Sequence, residues 1–138
     1  MAEGKPTILL VEEDKTMSDV TSYRLGLLGY DVTAVDSTKT AFEFLAASAE
    51  GPESDLDVDV IVTNLSLSGM SGFDFIERLA SDDTTTDIPV MVLSADAELD
   101  TVQNAFRSGA IEYLVTPYNP LILETKIERL VGLVGKTV

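Results

Sequence analysis

A chain of 138 residues with a 45% hydrophobic and 24% charged share suits one domain around a single core, and no apolar run approaches the roughly 20 residues that span a bilayer. With no Cys and no His it cannot build disulfides, a zinc site, Ser-His or Cys-His nucleophile pairs, or imidazole acid-base catalysis. Its 24 acidic and 9 basic residues leave a formal charge of -15, which repels a phosphate backbone and an anionic membrane surface and also suits a salty cytoplasm, so neither nucleic acid nor membrane is an expected partner.

The start, "MAEGKPTILLVEEDK", lacks the basic flank, long apolar region and small-residue cleavage site of a signal peptide, and a cytoplasmic location is the expectation. Short apolar runs rich in Val and Ile then alternate with stretches whose apolar residues fall three or four apart, the pattern of repeated βα units. The first strand is predicted over Ile8 to Val11, followed by a helix marked by Met17, Val20, Leu27 and Leu28 and ended by Gly29, with Asp14 as its N-terminal charge or cap. A second strand runs from Val32 to Val35, and a helix carrying Ala41, Phe42 and Leu45 begins near Ser37, capped by Ser37 or Asp36. The polar stretch "AEGPESDLD" reads as a solvated loop before the third strand, Val58 to Thr63. In "SGFDFIERLA" Ser71 and Asp74 have the spacing of a capping box and open a third helix with Phe75 and Leu79 on one face.

"SDDTTTD" reads as a second solvated loop, and after Pro89 the fourth strand occupies Val90 to Leu93. A fourth helix spans Leu99, Val102 and Phe106 and stops at Gly109; a fifth strand covers Ile111 to Val115. In the fifth helix Leu123, Ile127, Leu130 and Val134 form an apolar stripe for the sheet. Five such units predict an α/β, doubly wound parallel sheet with helices on both faces, as one domain over residues 1–138. Ligands in that architecture bind beyond the carboxyl ends of the strands, so the residues to inspect are Glu12, Glu13 and Asp14, then Asn64, Ser94 and Thr116.

These positions carry a resemblance over essentially the whole chain. "ILLVEEDK", "VDVIVTNLSLSGMSGFDF", "IPVMVLSA" and "GAIEYLVTPY", in this order, resemble the opening strand and acidic pair, the phosphoacceptor strand and turn, the fourth strand with its terminal hydroxyl, and the fifth strand with its aromatic and proline in the receiver domain of bacterial two-component response regulators. The resemblance implies a flavodoxin-like fold with strand order 2-1-3-4-5 and a signalling module rather than an enzyme. In that family an aspartate ending the third strand attacks a phosphoryl group, with a divalent metal on the acidic pair and a lysine after the fifth strand neutralising the charge on the phosphoryl oxygens.

Residue by residue, the aspartate position falls on Asn64 and the lysine position on Thr116. An amide nitrogen is a poor nucleophile, and a threonine hydroxyl is short and neutral where a long cation is needed. The resemblance therefore implies an atypical receiver, a pseudo-receiver that works without phosphorylation. Glu12 and Glu13 keep two carboxylates; with no third, magnesium is expected to keep mostly water ligands and bind weakly, and no other cofactor is expected. Ser94 and Tyr113 stand at the family's switch positions, the hydroxyl that bonds the phosphoryl group and the aromatic that rotates inward on activation. They also read as a backbone-capping serine and a packed strand tyrosine. Pro117 is expected to follow a cis peptide by analogy, and Gly72 to be the turn residue beside the site.

The partner surface implied by the family is the fourth helix, fifth strand and fifth helix, here presenting Leu99, Gln103, Arg107, Tyr113, Tyr118 and Lys126, and the same resemblance allows a homodimer through the fourth and fifth helices. The alternative is a phosphorylatable regulator whose acceptor aspartate is replaced here by Asn64, or which uses another acceptor such as Ser66 or Ser68, although neither serine has an evident base or cation. A metabolic enzyme on this fold is disfavoured, since "VEEDKT" stands where a phosphate-cradling glycine loop would follow the first strand.

Overall fold

The computed structural model describes residues 5–48 and 58–134. Its elements alternate strictly: β1 Thr7–Val11, α1 Lys15–Leu27, β2 Asp31–Val35, α2 Thr38–Ser48, β3 Val60–Thr63, α3 Gly72–Ser81, β4 Val90–Ser94, α4 Leu99–Ser108, β5 Glu112–Val115 and α5 Pro120–Leu133. All the strand pairs are parallel and the order is β2-β1-β3-β4-β5, the doubly wound sheet expected from the pattern.

The period of two along each strand sends successive side chains to opposite faces. Leu9, Val11, Ile61, Val90, Val92 and Tyr113 form one core with Ala41 and Leu45 of α2, Phe75, Ile76 and Leu79 of α3, and Ala105 of α4. Ile8, Leu10, Val60, Val62, Met91, Leu93 and Leu114 form the other with Leu25 of α1 and Leu123, Ile127, Leu130 and Val131 of α5. Burial on both faces explains why the strands read as continuous apolar runs rather than alternating ones. Phe75, fully buried, meets Phe42 edge-on at 5.2 Å between ring centroids, and the Arg78 guanidinium lies 4.6 Å from the Phe42 centroid.

Local chemistry sets the helix ends. The Asp14 carboxylate accepts from Met17 N at 2.8 Å, Ser37 Oγ from Thr40 N at 3.1 Å, Ser71 Oγ from Asp74 N at 3.1 Å, and Asn119 Oδ1 from Leu121 N at 2.8 Å. Gly29, at φ 99°, makes the left-handed turn that stops α1 and allows Tyr30 N to reach back to Leu25 O.

Three details depart from the sequence reading. The third strand begins at Val60, because Asp59 turns its carboxylate onto Thr7 N at 2.7 Å at the strand's entrance. "SDDTTTD" is a structured turn rather than a merely solvated loop. Thr85 is buried and donates to Leu79 O at 2.6 Å, and Asp82 accepts from both Thr84 N and Thr84 Oγ1, bonds that hold its carboxyl below the usual range. In α4 the buried residues are the small Ala105 and Ser108, while Leu99 and Phe106 remain exposed. The loop "AEGPESDLD" lies outside the described residues.

Candidate functional site at the carboxyl ends of the strands

β1 and β3 are adjacent, with Val11 opposite Thr63, so the residues that follow them meet at the end of the sheet. Glu12 is 4% exposed, and its two oxygens accept from Asn64 Nδ2 at 3.0 and 3.2 Å. One of them also accepts from Asp14 N at 3.1 Å. The other end of the Asn64 amide, Oδ1, accepts from Ser66 N at 3.1 Å. This arrangement fixes the amide orientation, since the reversed one would set oxygen against carboxylate and N–H against N–H. An aspartate at this place would have no hydrogen to offer Glu12.

Glu13 points to the other side of the turn, where its carboxylate accepts from Ser68 N; the backbone hydrogen bond first, and a side-chain hydrogen bond from Ser68 second, lower its pKa. Glu12, Glu13, Asp19 and Asp36 line a cleft of about 480 Å³ with Lys15, whose ammonium is 2.8 Å from Asp19. An anion entering this cleft meets a net negative wall.

A magnesium ion needs several unencumbered oxygens in octahedral array. Both oxygens of Glu12 and one oxygen of Glu13 are engaged by N–H donors, the third position is an amide whose oxygen is itself engaged, and no group of three or more Asp, Glu, His or Cys able to hold a metal occurs among the described residues. The residues present do not fit the ion.

Ser94, at the end of β4, is 4% exposed, and its Oγ accepts from Asp96 N at 3.1 Å while its carbonyl accepts from Thr116 N at 2.9 Å. Tyr113 is 8% exposed and donates its hydroxyl to Asp96 O at 2.6 Å. The Asp96 carboxylate accepts from Glu98 N at 2.9 Å and Thr101 Oγ1 at 2.8 Å, tying the β4–α4 loop to the first turn of α4. Asp96 is thus the residue that sequence reasoning missed, although an acid two residues beyond a strand-end serine and just before a helix is a recognisable turn signal.

Thr116 is half-buried, and the Thr116–Pro117 peptide is cis. Beyond it, Tyr118 exchanges a hydrogen bond with Thr21 at 3.0 Å and lies under the Arg24 guanidinium, 5.3 Å from the ring centroid, so the β5–α5 loop is fastened to α1. Lys126 Nζ is on α5, 2.6 Å from Glu112 Oε1 on β5, and Arg129 NH1 reaches Glu112 Oε2 at 2.8 Å. The structure therefore brings Glu12, Asn64 and the Glu13 turn together in one network and Ser94 with Tyr113 in another.

The family model of the response regulator receiver domain matches residues 8–128. Over 133 residues the chain is 35% identical to "DNA-binding dual master transcriptional regulator RpaA" of Synechocystis sp., covering 96% of this chain but only 50% of that protein. With "Chemotaxis protein CheY1" of Helicobacter pylori it shares 29% identity over 126 residues, 91% of this chain and 96% of the relative. Among solved structures, a putative response regulator from Chloroflexus aurantiacus superposes with a TM-score of 0.83 at 22% identity, covering 93% of this chain and 98% of the other. The receiver domain of sensor histidine kinase PA1611 from Pseudomonas aeruginosa, solved with magnesium in its active site cleft, superposes at 0.77 with 23% identity over 93% of this chain and 98% of its own. Both likenesses show the fold. With the family match across both cores and the strand-end residues, the chain belongs to the response regulator receiver domain family.

Proposed function

We propose that this receiver domain takes no phosphoryl group and acts as a phosphorylation-independent protein-interaction module in signal transduction. The observation that carries this reading is the Asn64 amide hydrogen-bonded to both oxygens of Glu12 at the acceptor position. The amide nitrogen is no nucleophile, and its N–H satisfies the carboxylate that a cation would otherwise neutralise. Thr116 supplies no cation, and the acidic cleft repels a phosphodonor.

The second network supports a single fixed state. Tyr113 is already inside, bonded to the Asp96 carbonyl, and Ser94 Oγ accepts from Asp96 N. Without a modification, only differential partner affinity can shift such a domain between conformations. The surface offered to a partner is that of α4, β5 and α5, where Leu99, Phe106, Val115 and Ile122 are exposed alongside Arg107, while Lys126 is half-buried and held by Glu112.

Intact mass after incubation with acetyl phosphate and magnesium tests the reading, with an Asn64→Asp, Thr116→Lys double variant alongside. The expected result is no added phosphoryl mass on the unsubstituted chain and addition on the variant. Addition to the unsubstituted chain would overturn the proposal in favour of a phosphorylatable regulator with another acceptor.

A further inference from the structure

Between α2 and α3 lies a cavity of about 240 Å³, lined on one side by Phe42, Leu45 and Ala46 and on the other by Arg78, Asp82 and the turn at Thr84 and Thr85. It is smaller than the roughly 300–1,000 Å³ of pockets for drug-sized ligands, which suits a metabolite-sized occupant. Because α3 runs back antiparallel to the strands and ends before β4, the cavity sits towards the amino end of the sheet, away from Glu12 and Asn64.

Two opposite charges stand at its wall, and they form no ion pair with each other. Arg78 rests its guanidinium 4.6 Å from the Phe42 ring centroid, which positions the group, yet it donates no hydrogen bond among the described residues. Asp82 is the C-cap of α3; Thr84 N and Thr84 Oγ1 both bond to its Oδ1, and Oδ2 accepts nothing among the described residues. The Thr84 hydroxyl and then the Thr84 N–H do most to lower the Asp82 pKa, burial opposes them, and the charge of Arg78, acting through space, comes last. A helix C-terminus carries partial negative charge, so a carboxylate there deepens the attraction for a cation. The floor is apolar: Leu45 is buried, and Phe42 is braced edge-on against Phe75. The Thr85 hydroxyl already donates to Leu79 O, so polar recognition falls to Arg78 and Asp82.

We propose that this cavity binds a free α-amino acid with a branched aliphatic side chain, its carboxylate on Arg78, its ammonium on Asp82 Oδ2 and its side chain on Phe42, Leu45 and Ala46. The zwitterion matches a wall that holds one charge of each sign beside an apolar floor, and both of its charged groups gain charge-assisted hydrogen bonds. Its zero net charge also suits a chain of formal charge -15. A simple anion is repelled by the whole molecule, and a simple cation is drawn to every acidic surface rather than to this one. The site is separate from the α4–β5–α5 face and does not depend on whether the domain accepts phosphate.

The probes are L-leucine, N-acetyl-L-leucine, which lacks the ammonium, and L-leucinamide, which lacks the carboxylate, each titrated into the unsubstituted chain with amide chemical shifts as the readout. L-leucine should give saturable shifts along α2 from Phe42 to Ala46 and from Arg78 to Thr85, and each analogue should bind at least about tenfold more weakly. Arg78→Gln should close the gap between L-leucine and L-leucinamide, and Asp82→Asn the gap between L-leucine and N-acetyl-L-leucine. Ala46→Phe fills the cavity from an exposed helical position and should remove binding while leaving the melting temperature nearly unchanged. Four results would each overturn the proposal: no saturation up to about 50 mM, well past the millimolar end of small-ligand affinities, equal binding of the three probes, shifts confined to other elements, or an Ala46→Phe chain that melts normally and still binds.

Discussion

Asn64 differs from aspartate by an N–H that can be donated, and Glu12, buried beside it, consumes that donation at 3.0 and 3.2 Å. Replacing the amide by carboxylate exchanges an attraction for a repulsion between two partly desolvated charges. Asn64→Asp alone should therefore cost about 1–3 kcal/mol at neutral pH, and millimolar magnesium should recover part of it. Thermal melting with and without the metal checks this, and an unchanged melting temperature in both conditions would count against the clamp. Tyr113→Phe removes one hydrogen bond to a loop carbonyl and should cost about 1 kcal/mol while raising amide exchange in the β4–α4 loop. The identities of Asn64 and Thr116 were legible because the surrounding motifs place them at strand ends. Their partners were not, because whether Asn64 meets Glu12 or Ser94 meets Asp96 depends on backbone directions beyond the strand that no residue pattern encodes.

The elements themselves were largely readable, since apolar runs, capping residues and Gly29 each act within a few residues along the chain. Readings failed where a contact from another element decided. Thr85 is buried by reaching α3, and α4 approaches the core through Ala105 rather than through its larger apolar residues. Gly72 shows the same dependence: its expected turn freedom is not what matters, because a Cβ there would lie 2.5 Å from Leu65 Cα and 2.9 Å from Leu65 O. Gly72→Ala should lose about 2 kcal/mol or more, whereas Gly26→Ala, with open space around its site in α1, should gain about 0.5–1 kcal/mol. Urea melts of the pair check the contrast.

The β5–α5 contact should show in pH dependence. Burial alone pushes the Glu112 carboxyl up, but the Lys126 hydrogen bond, the Tyr113 N–H and the charges of Lys126 and Arg129 together outweigh it and hold the carboxyl below its ordinary value. A depressed folded-state pKa contributes stability that is fully present above the ordinary carboxylate value of about 4.3 and is lost as pH falls through the folded value. Glu112→Gln should thus cost about 1–3 kcal/mol near neutrality, and the gap to the unsubstituted chain should close as pH drops below about 4. A gap that persists in acid would assign the loss to packing instead.

For the whole molecule, 24 acidic against 9 basic residues make self-repulsion a larger electrostatic effect than the ion pairs joining Lys15 to Asp19 and Lys126 and Arg129 to Glu112. Screening should therefore raise the melting temperature as sodium chloride is increased from low ionic strength to about 1 M, where the Debye length is roughly 3 Å. A fall would mean that the ion pairs outweigh the repulsion. Under the proposed function, the domain's own hydrogen bonds should hold the α4–β5–α5 face in one state whether or not a phosphodonor is present. The most direct measurement is amide hydrogen exchange across the β4–α4 loop, α4, β5 and α5, with and without acetyl phosphate and magnesium, on the unsubstituted chain and on the Asn64→Asp, Thr116→Lys variant. Exchange should be superimposable for the unsubstituted chain and altered for the variant. Altered protection in the β4–α4 loop or α4 of the unsubstituted chain would contradict it.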